Sequence, residues 1–462
     1  MQQDATRSVS PMRVAIVGGG AAGTLIALQL AERGIASTVF DRSGAFARGV
    51  AYSAASAWHR LNVPIDKMGG WRAEDSDKAF QTWYVARQGP LSDRYSDRYV
   101  ARSAYGAWLR HELDRAVAQG FVELRTEEVV SAAEASAGVS LGIAGGGTYM
   151  APIGVLCLGN QRPRRLAIAP AERCIADMWT PGAMDGIGAD EPVLIVGTGS
   201  TGIDALLELH HRGHRGTIHL LSRRGLLPLI DAPPQAYAFT RTSIATAPRL
   251  REVARLLRAE AEEAAAAGYS WQSVIDAFRA YLPRIWGALS QAERSRFLRH
   301  LRPYWLIHRH RLAPDIAELL DRLRAERRAV VLRGRLRAVR LDGHGLAVDI
   351  ARANGASVSL SVGWIINCTG PEEDLSRVGD PLTDDLFRSG AARPGAFGVG
   401  LDVDANARLL RADGTLSARL FVLGGATRAR FGEVTSAPQI RRRASALVDT
   451  IASVLHAMEP QR

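Results

Sequence analysis

Lysine is nearly missing from this sequence. Lys67 and Lys78 are the only two in 462 residues, so arginine carries almost all of the positive charge. Cysteine is scarce as well: Cys157, Cys174 and Cys368 lie far apart, and no C-x-x-C occurs. That spacing excludes the dithiol motif of thioredoxin-like redox proteins and a local zinc site. Unpatterned cysteines fit reduced thiols in a cytoplasm. No uninterrupted apolar run is long enough to span a bilayer. Met1 to Met12 is polar and lacks the apolar core of a signal peptide. A soluble cytoplasmic protein without a membrane partner is expected. Long basic blocks are also absent. The net charge of +11 favours anionic partners, but the longest basic runs, Arg441-Arg442-Arg443 and Arg309-His310-Arg311, do not amount to a nucleic-acid face.

What is present is an ordinary globular composition. An apolar fraction of 47% and a charged fraction of 23% allow a sizeable core without disulfides or a metal, and the length allows two or three domains. A short β-branched strand, Arg13 to Val17, ends in Gly18-Gly19-Gly20-Ala21-Ala22-Gly23 and runs into an apolar helix, Thr24 to Arg33. Gly34 stops that helix, and Ala36 to Phe40 is the next strand. A second βαβ unit starts at Pro192. Val193 to Val196 leads to Gly197-Thr198-Gly199-Ser200-Thr201-Gly202, the helix Ile203 to Arg212 and the strand Thr217 to Leu221. Each half closes on an apolar strand, Gly154 to Asn160 and Trp364 to Pro371, as in a duplicated module.

The pattern predicts an α/β protein with two Rossmann-type dinucleotide-binding domains, for FAD and NADPH, with a helical insertion in the second. Residues 1–165 form the first part of the FAD domain. Residues 166–371 form the NADPH domain, with the insertion at 232–328, and residues 372–462 return to the FAD domain. Within the insertion, Pro248 to Ala267, Ser270 to Tyr281, Ser290 to Leu301 and Pro314 to Arg327 read as helices. Arg302 to Arg311 reads as a break between them, rich in aromatic, His and Arg residues. The insertion is expected to cap the site.

In each cradle one glycine permits the tight turn (Gly18, Gly197). The next lets the backbone approach a pyrophosphate (Gly20, Gly199), and the last lets helix and strand pack closely (Gly23, Gly202). The phosphates sit at the helix N-terminus. Asp41, with Arg42 beside it, ends the second strand, where a carboxylate accepts hydrogen bonds from ribose hydroxyls. The second unit has Ser222-Arg223-Arg224 at that place. Arginines there suit a 2′-phosphate, so NADPH is expected over NADH. His210, His211 and His214 read as a helical surface rather than a metal site.

The chain resembles a family of bacterial FAD/NAD(P)-binding proteins related to flavin-dependent N-hydroxylating monooxygenases, L-aspartate N-monooxygenases that make nitrosuccinate among them. The likeness runs through Val17–Gly23, Gly49-Val50-Ala51-Tyr52-Ser53, His59-Arg60-Leu61-Asn62-Val63-Pro64, Val100–Gly106, Val196–Asp204, Leu221–Pro228, His300–Pro314, Ile366–Pro371 and Glu433–Arg441. It implies that Tyr52, Asn62 and Arg102 line the flavin, that Gly424-Gly425 lie near its ring, and that Cys368-Thr369-Gly370 is the linker of such two-domain enzymes. A proline, Pro371, follows where many relatives have tyrosine. The Baeyer–Villiger fingerprint F-x-G-x-x-x-H-x-x-x-W is absent.

The activity implied is NADPH-dependent N-hydroxylation of a small amine or amino acid by molecular oxygen, through a C4a-hydroperoxyflavin; an L-aspartate-like carboxylate substrate is one possibility. An ammonium has no lone pair to attack with, so nearby cations that favour the neutral amine would serve, and they would also bind a carboxylate. Lys67 is the first candidate for substrate contact, followed by Arg302, His308, Arg309, Arg311 and Arg441. Asp315 caps or opens a helix. Two other readings stand beside this one: a flavoprotein reductase or dehydrogenase that inserts no oxygen, and a non-catalytic flavin-binding interaction protein.

Overall fold

One module is built twice along the chain. The computed structural model describes residues 13–53, 56–72, 74, 77–241, 248–343 and 345–458; the polar stretch Met1 to Met12 lies outside them. In the first copy, β1 (Val14–Val17) enters the helix Ala21–Glu32 and continues to β2 (Ser37–Phe40) and β3 (Val122–Arg125). An antiparallel meander follows, β4 (Val129–Ala135), β5 (Gly138–Ile143) and β6 (Thr148–Ala151), then β7 (Gly154–Leu156); the short β8 (Cys174–Ile175) already belongs to the second sheet. The second copy repeats the plan. β9 (Val193–Val196), the helix Ser200–His211, β10 (Ile218–Ser222) and β11 (Ala329–Arg333) precede the meander β12 (Arg335–Asp342), β13 (Gly345–Ala351) and β14 (Ser357–Val362), and β15 (Trp364–Asn367) closes it.

The two sheets have the order β16-β17-β7-β1-β2-β3 and β11-β10-β9-β15-β8, where β16 is Arg408–Leu410 and β17 is Leu416–Val422. All pairs are parallel except β16 with β17. Strands such as β1 and β9 are buried at every residue. Continuous Val, Ile and Leu suit parallel strands covered on both faces. β17 pairs with β7, Leu420 beside Gly154, so the C-terminal segment completes the first sheet. Its last helix, Ala437–Met458, packs Leu447, Val448 and Ile451 into the same apolar core as Leu25, Ile26 and Leu30 of the first Rossmann helix.

The segment between β10 and β11 is helical, around a core of Phe239, Val274, Phe278, Ile285 and Leu289. Its breaks differ from the sequence expectation. Ser270 to Tyr281 is not one helix: Trp271–Phe278 ends in a 3₁₀ turn, Arg279–Tyr281, before Leu282–Ala288. Gln291–Arg296 runs into a π turn, Phe297–Leu301. The expected break over Arg302 to Arg311 is instead a helix, Arg302–Arg309. Pro303 suggests a break from sequence, but it falls in the first turn of that helix, where its missing N–H costs nothing. The real break is at His310 to Ala313, ahead of Pro314, which pushes Ala313 to an extended conformation (φ −57°, ψ 144°). Asp315 stands in the first turn of Pro314–Ala325, and its carboxylate accepts from Arg60 at 2.9 Å. No helix among the described residues is long and apolar enough to cross a membrane.

Candidate active site

The two phosphate cradles are near-copies. Gly18 and Gly197 have φ of +104° and +117°, and a Cβ on either would stand 2.1 and 2.0 Å from the carbonyl oxygens of Cys157 and Cys368. A Cβ on Gly23 or Gly202 would lie 2.0 and 2.1 Å from the oxygens of Gly18 and Gly197. Only glycine fits either position. Gly20 and Gly199 precede the two helices with the same extended geometry (φ −70° and −79°, ψ −168° in both). Neither helix has a side-chain cap or an acid in its first turn. The free N–H groups of both first turns are thus left for an anion. This fits the pyrophosphates of FAD and of a nicotinamide dinucleotide.

Around the first cradle, Asp41 accepts from the Gly19 N–H at 2.9 Å with one carboxylate oxygen and from Ser43 with the other. Arg42 turns away: it is exposed and pairs with Glu128 and Asp380 at 3.2 and 3.4 Å. Gly424 (φ +92°) approaches the first helix at Ala22, and Gly425 lies against Asn160. Around the second cradle, the Thr198 hydroxyl donates to the Leu226 carbonyl at 2.5 Å. Ser222 Oγ accepts from the Gly225 N–H. Arg223 is exposed, whereas Arg224 donates to the Tyr304 hydroxyl and the His300 carbonyl at 3.3 and 3.2 Å.

A cleft of about 1270 Å³ opens between the modules and under the helical insertion. Gly197 to Thr201, Ser222, Arg223, Tyr52, Asn62, Arg102, Thr369 and Gly370 all line it. The glycines of the first cradle do not; that cradle meets the cleft through Asn160 beside Gly425. Arg102 joins the modules: it donates to Asn62 at 3.1 Å and to the Arg60 carbonyl at 2.7 Å, and it pairs with Asp204 on the second Rossmann helix at 2.9 Å. Burial pushes the Tyr52 phenol up to about 12 despite Arg102 nearby, so it is a neutral donor at physiological pH.

The cationic candidates for substrate contact all have protein partners. Lys67 reaches Asp276 at 2.7 Å, and Arg311 bridges Asp276 and Asp231 at 2.6 and 2.9 Å. Burial pushes the Asp276 carboxyl up, but Arg311 and Lys67 outweigh it and hold it below its ordinary range. Arg302 makes a forked pair with Glu373, which also binds Arg428. Arg309 pairs with Glu433 at 2.9 Å. Arg441 is fully buried, donates to the Met68 carbonyl at 2.8 Å and does not line the cleft. Lys67 and Arg311 also stand outside its lining, whereas Arg302, His308 and Arg309 belong to it. His308 is tied to the Tyr304 carbonyl at 2.7 Å.

Sequence reasoning passed over Glu373, Arg428 and Glu433, which hold the floor and the insertion together. Glu433 accepts from Trp305 at 2.5 Å and from Gln439 at 3.0 Å as well as from Arg309. It opens the conspicuous stretch Glu433–Arg441, a usable signal; nothing local marks Arg428. His310 was also missed as an individual residue. It lines the cleft, and burial, with Arg309 next, brings its imidazole down to about 4. Among the described residues no group of three or more His, Cys, Asp and Glu could hold a metal ion.

Residues 15–161 match a family model described as FAD-NAD(P)-binding. No curated protein sequence matches the chain. Among solved structures, the chain is similar to an ornithine N-hydroxylase of Kutzneria sp. 744, solved with reduced FAD, NADP⁺ and L-ornithine: TM-score 0.66, 15% identity, 96% of this chain and 99% of that one covered. It is similar to a cadaverine monooxygenase of desferrioxamine biosynthesis from Erwinia amylovora, bound to FAD (TM-score 0.63, 12% identity, 96% and 95% covered). A bacillithiol disulfide reductase from Bacillus cereus shares the fold less closely (TM-score 0.55, 14% identity, 96% and 99% covered). Residues 15–161 are thus an FAD-NAD(P)-binding domain, and the chain has the two-dinucleotide fold found in N-hydroxylating flavin monooxygenases and in flavoprotein reductases.

Proposed function

We propose that this protein is an NADPH-dependent FAD monooxygenase that N-hydroxylates a small amine carrying a carboxylate. The observation that carries the reading is the shared cleft. The second cradle, Tyr52, Asn62 and the Thr369-Gly370 linker face one chamber, and the insertion helix Arg302–Arg309 forms part of its wall. A flavin reductase needs access for an electron acceptor; oxygen transfer needs water kept out. FAD reduced by NADPH would supply the activated oxygen. The chain's residues would do the rest. Gly18, Gly20 and Gly23 would hold the FAD pyrophosphate, and Asp41 its ribose. Gly197, Gly199 and Gly202 would hold that of NADPH. Gly424, Gly425, Asn62 and Arg102 would position the ring.

The arginines on the chamber wall, Arg302, Arg309 and Arg428 against Glu373 and Glu433, leave one positive charge in excess. Such a wall would favour the neutral form of an amine and attract a carboxylate. The folds of the ornithine and cadaverine enzymes support the reaction class. The absence of any C-x-x-C weighs against disulfide reduction.

The test is a screen of amines and amino acids for stimulated NADPH oxidation by the purified yellow protein, with product masses. A product heavier by one oxygen atom per NADPH and O2 consumed is expected. NADPH oxidation that proceeds at full rate without O2 in the presence of another acceptor would place the protein among the reductases.

A further inference from the structure

Among the described residues seven arginines line the cleft: Arg102, Arg223, Arg258, Arg302, Arg309, Arg335 and Arg428. Arg102, Arg302, Arg309 and Arg428 each hold a carboxylate. Arg223, Arg258 and Arg335 have no ion-pair partner among the described residues. Arg258 stands apart on the insertion helix Leu250–Ala266. The residues just before Arg223 and Arg335 are fastened to each other. In the parallel pair β10 and β11, Ser222 lies beside Arg333. The Gly334 N–H donates to the Ser222 carbonyl at 3.0 Å. A Cβ on Gly225 would come within 3.2 Å of the Arg333 Cβ, and one on Gly334 within 2.4 Å of Ile350 Cγ2, so both backbones are closely packed.

Arg223 follows Ser222 and Arg335 follows Gly334. Their stems therefore leave neighbouring points at the carboxyl ends of two adjacent parallel strands, where open α/β sheets bind ligands. Both side chains are exposed. Arg224 is engaged elsewhere. Besides its two hydrogen bonds to the insertion, its guanidinium sits 5.0 Å from the centroid of the Tyr304 ring. Among the described residues the only acids lining the cleft are Glu373 and Glu433, each already paired with arginine.

We propose that Arg223 and Arg335 together clamp the 2′-phosphate of NADPH, and that Arg224 is a strut between this rim and the insertion. A phosphate monoester carries nearly two negative charges, and two guanidinium forks match its charge and its acceptor oxygens. The inference rests on reading the second module as the nicotinamide-nucleotide site.

Calorimetric titration of the FAD-loaded protein with NADP⁺ and with NAD⁺ tests it without turnover. R335Q is expected to weaken NADP⁺ by roughly ten- to a hundredfold and NAD⁺ by no more than about twofold. R335K should fall between R335Q and the unaltered protein. R224Q should leave the NADP⁺ to NAD⁺ ratio unchanged. Equal weakening of both nucleotides by R335Q, no weakening of either, or a change of ratio carried by R224Q overturns the clamp. If the unaltered protein keeps its flavin but binds neither nucleotide, the reading of the second module fails, and the clamp with it. Thermal melting of each variant separates loss of binding from loss of fold.

Discussion

A methyl group on Gly199 would touch nothing within 4 Å, while one on Gly202 would sit 2.1 Å from the Gly197 carbonyl oxygen. The two glycines are therefore separable by experiment. G199A should keep its melting temperature within about 2 °C of the parent and weaken NADP⁺ at least tenfold, because the methyl intrudes only on the approaching pyrophosphate. G202A should lower stability itself, by about 1–3 kcal/mol, as overpacking does; chemical denaturation reads the difference. His310 offers a second residue-scale test. Burial, then Arg309 and Arg279, disfavour its charged form, with Arg428 adding and Glu433 opposing. A histidine depressed from 6.5 to about 4 contributes fully above pH 6.5, and that contribution is lost as pH falls toward 4. H310N should flatten the stability loss between pH 6.5 and 4 by up to about 3 kcal/mol. Equal slopes for parent and variant in urea denaturation would show that His310 protonates freely in the fold.

At the scale of elements, the helix Arg302–Arg309 is held at both ends by carboxylates from the C-terminal third of the chain: Glu373 grips Arg302, and Glu433 takes Arg309 and Trp305. Removing Glu433 leaves Arg309 buried and unpaired, a change that costs about 3–5 kcal/mol in comparable sites. E433A should be less stable by that amount and, if the proposed reaction is right, should release more hydrogen peroxide per NADPH, because water reaches the chamber. Peroxide yield by a coupled peroxidase assay checks it. Neither pairing is legible from sequence, although Glu433 itself opens a conspicuous stretch. Glu373 lies 71 residues from Arg302 and Glu433 lies 124 from Arg309, and periodicity reports only neighbours three or four apart.

The strands and cradles were legible for the opposite reason. β1 and β9 are local runs of apolar residues, and Gly23 and Gly202 are required by the carbonyls of Gly18 and Gly197 in the same turn. Helix boundaries in the insertion were not. The π turn Phe297–Leu301 and the tolerated Pro303 have no period of their own. Arg335 went unread because its relevance depends on β11 lying next to β10, which a hundred-residue insertion hides.

For the whole molecule, the modules are tied by polar bridges: Arg102 to Asp204, Lys67 to Asp276, Arg60 to Asp315, and Ser56 to Glu208 at 2.8 Å. The first is nearly dry, with side-chain exposures of 11% and 7%. R102L alone should lose about 3–5 kcal/mol because Asp204 is left buried without its partner. R102L combined with D204L should recover much of that loss. If the double variant is as unstable as the sum of the singles, the pair does not couple the modules; a double-mutant cycle in urea decides.

Cys157 and Cys368 occupy the same place in the two copies, buried beneath the cradles, where burial pushes the Cys157 thiol up to about 12 and the Cys368 thiol higher still. Cys174, partly buried on the edge strand of the second sheet, is the most accessible of the three thiols in the folded chain. A maleimide dye should therefore attach once to native protein and three times after denaturation. The molecule thus carries a built-in counter of its own unfolding, and a fluorophore at that edge would watch the second module without any engineered tag.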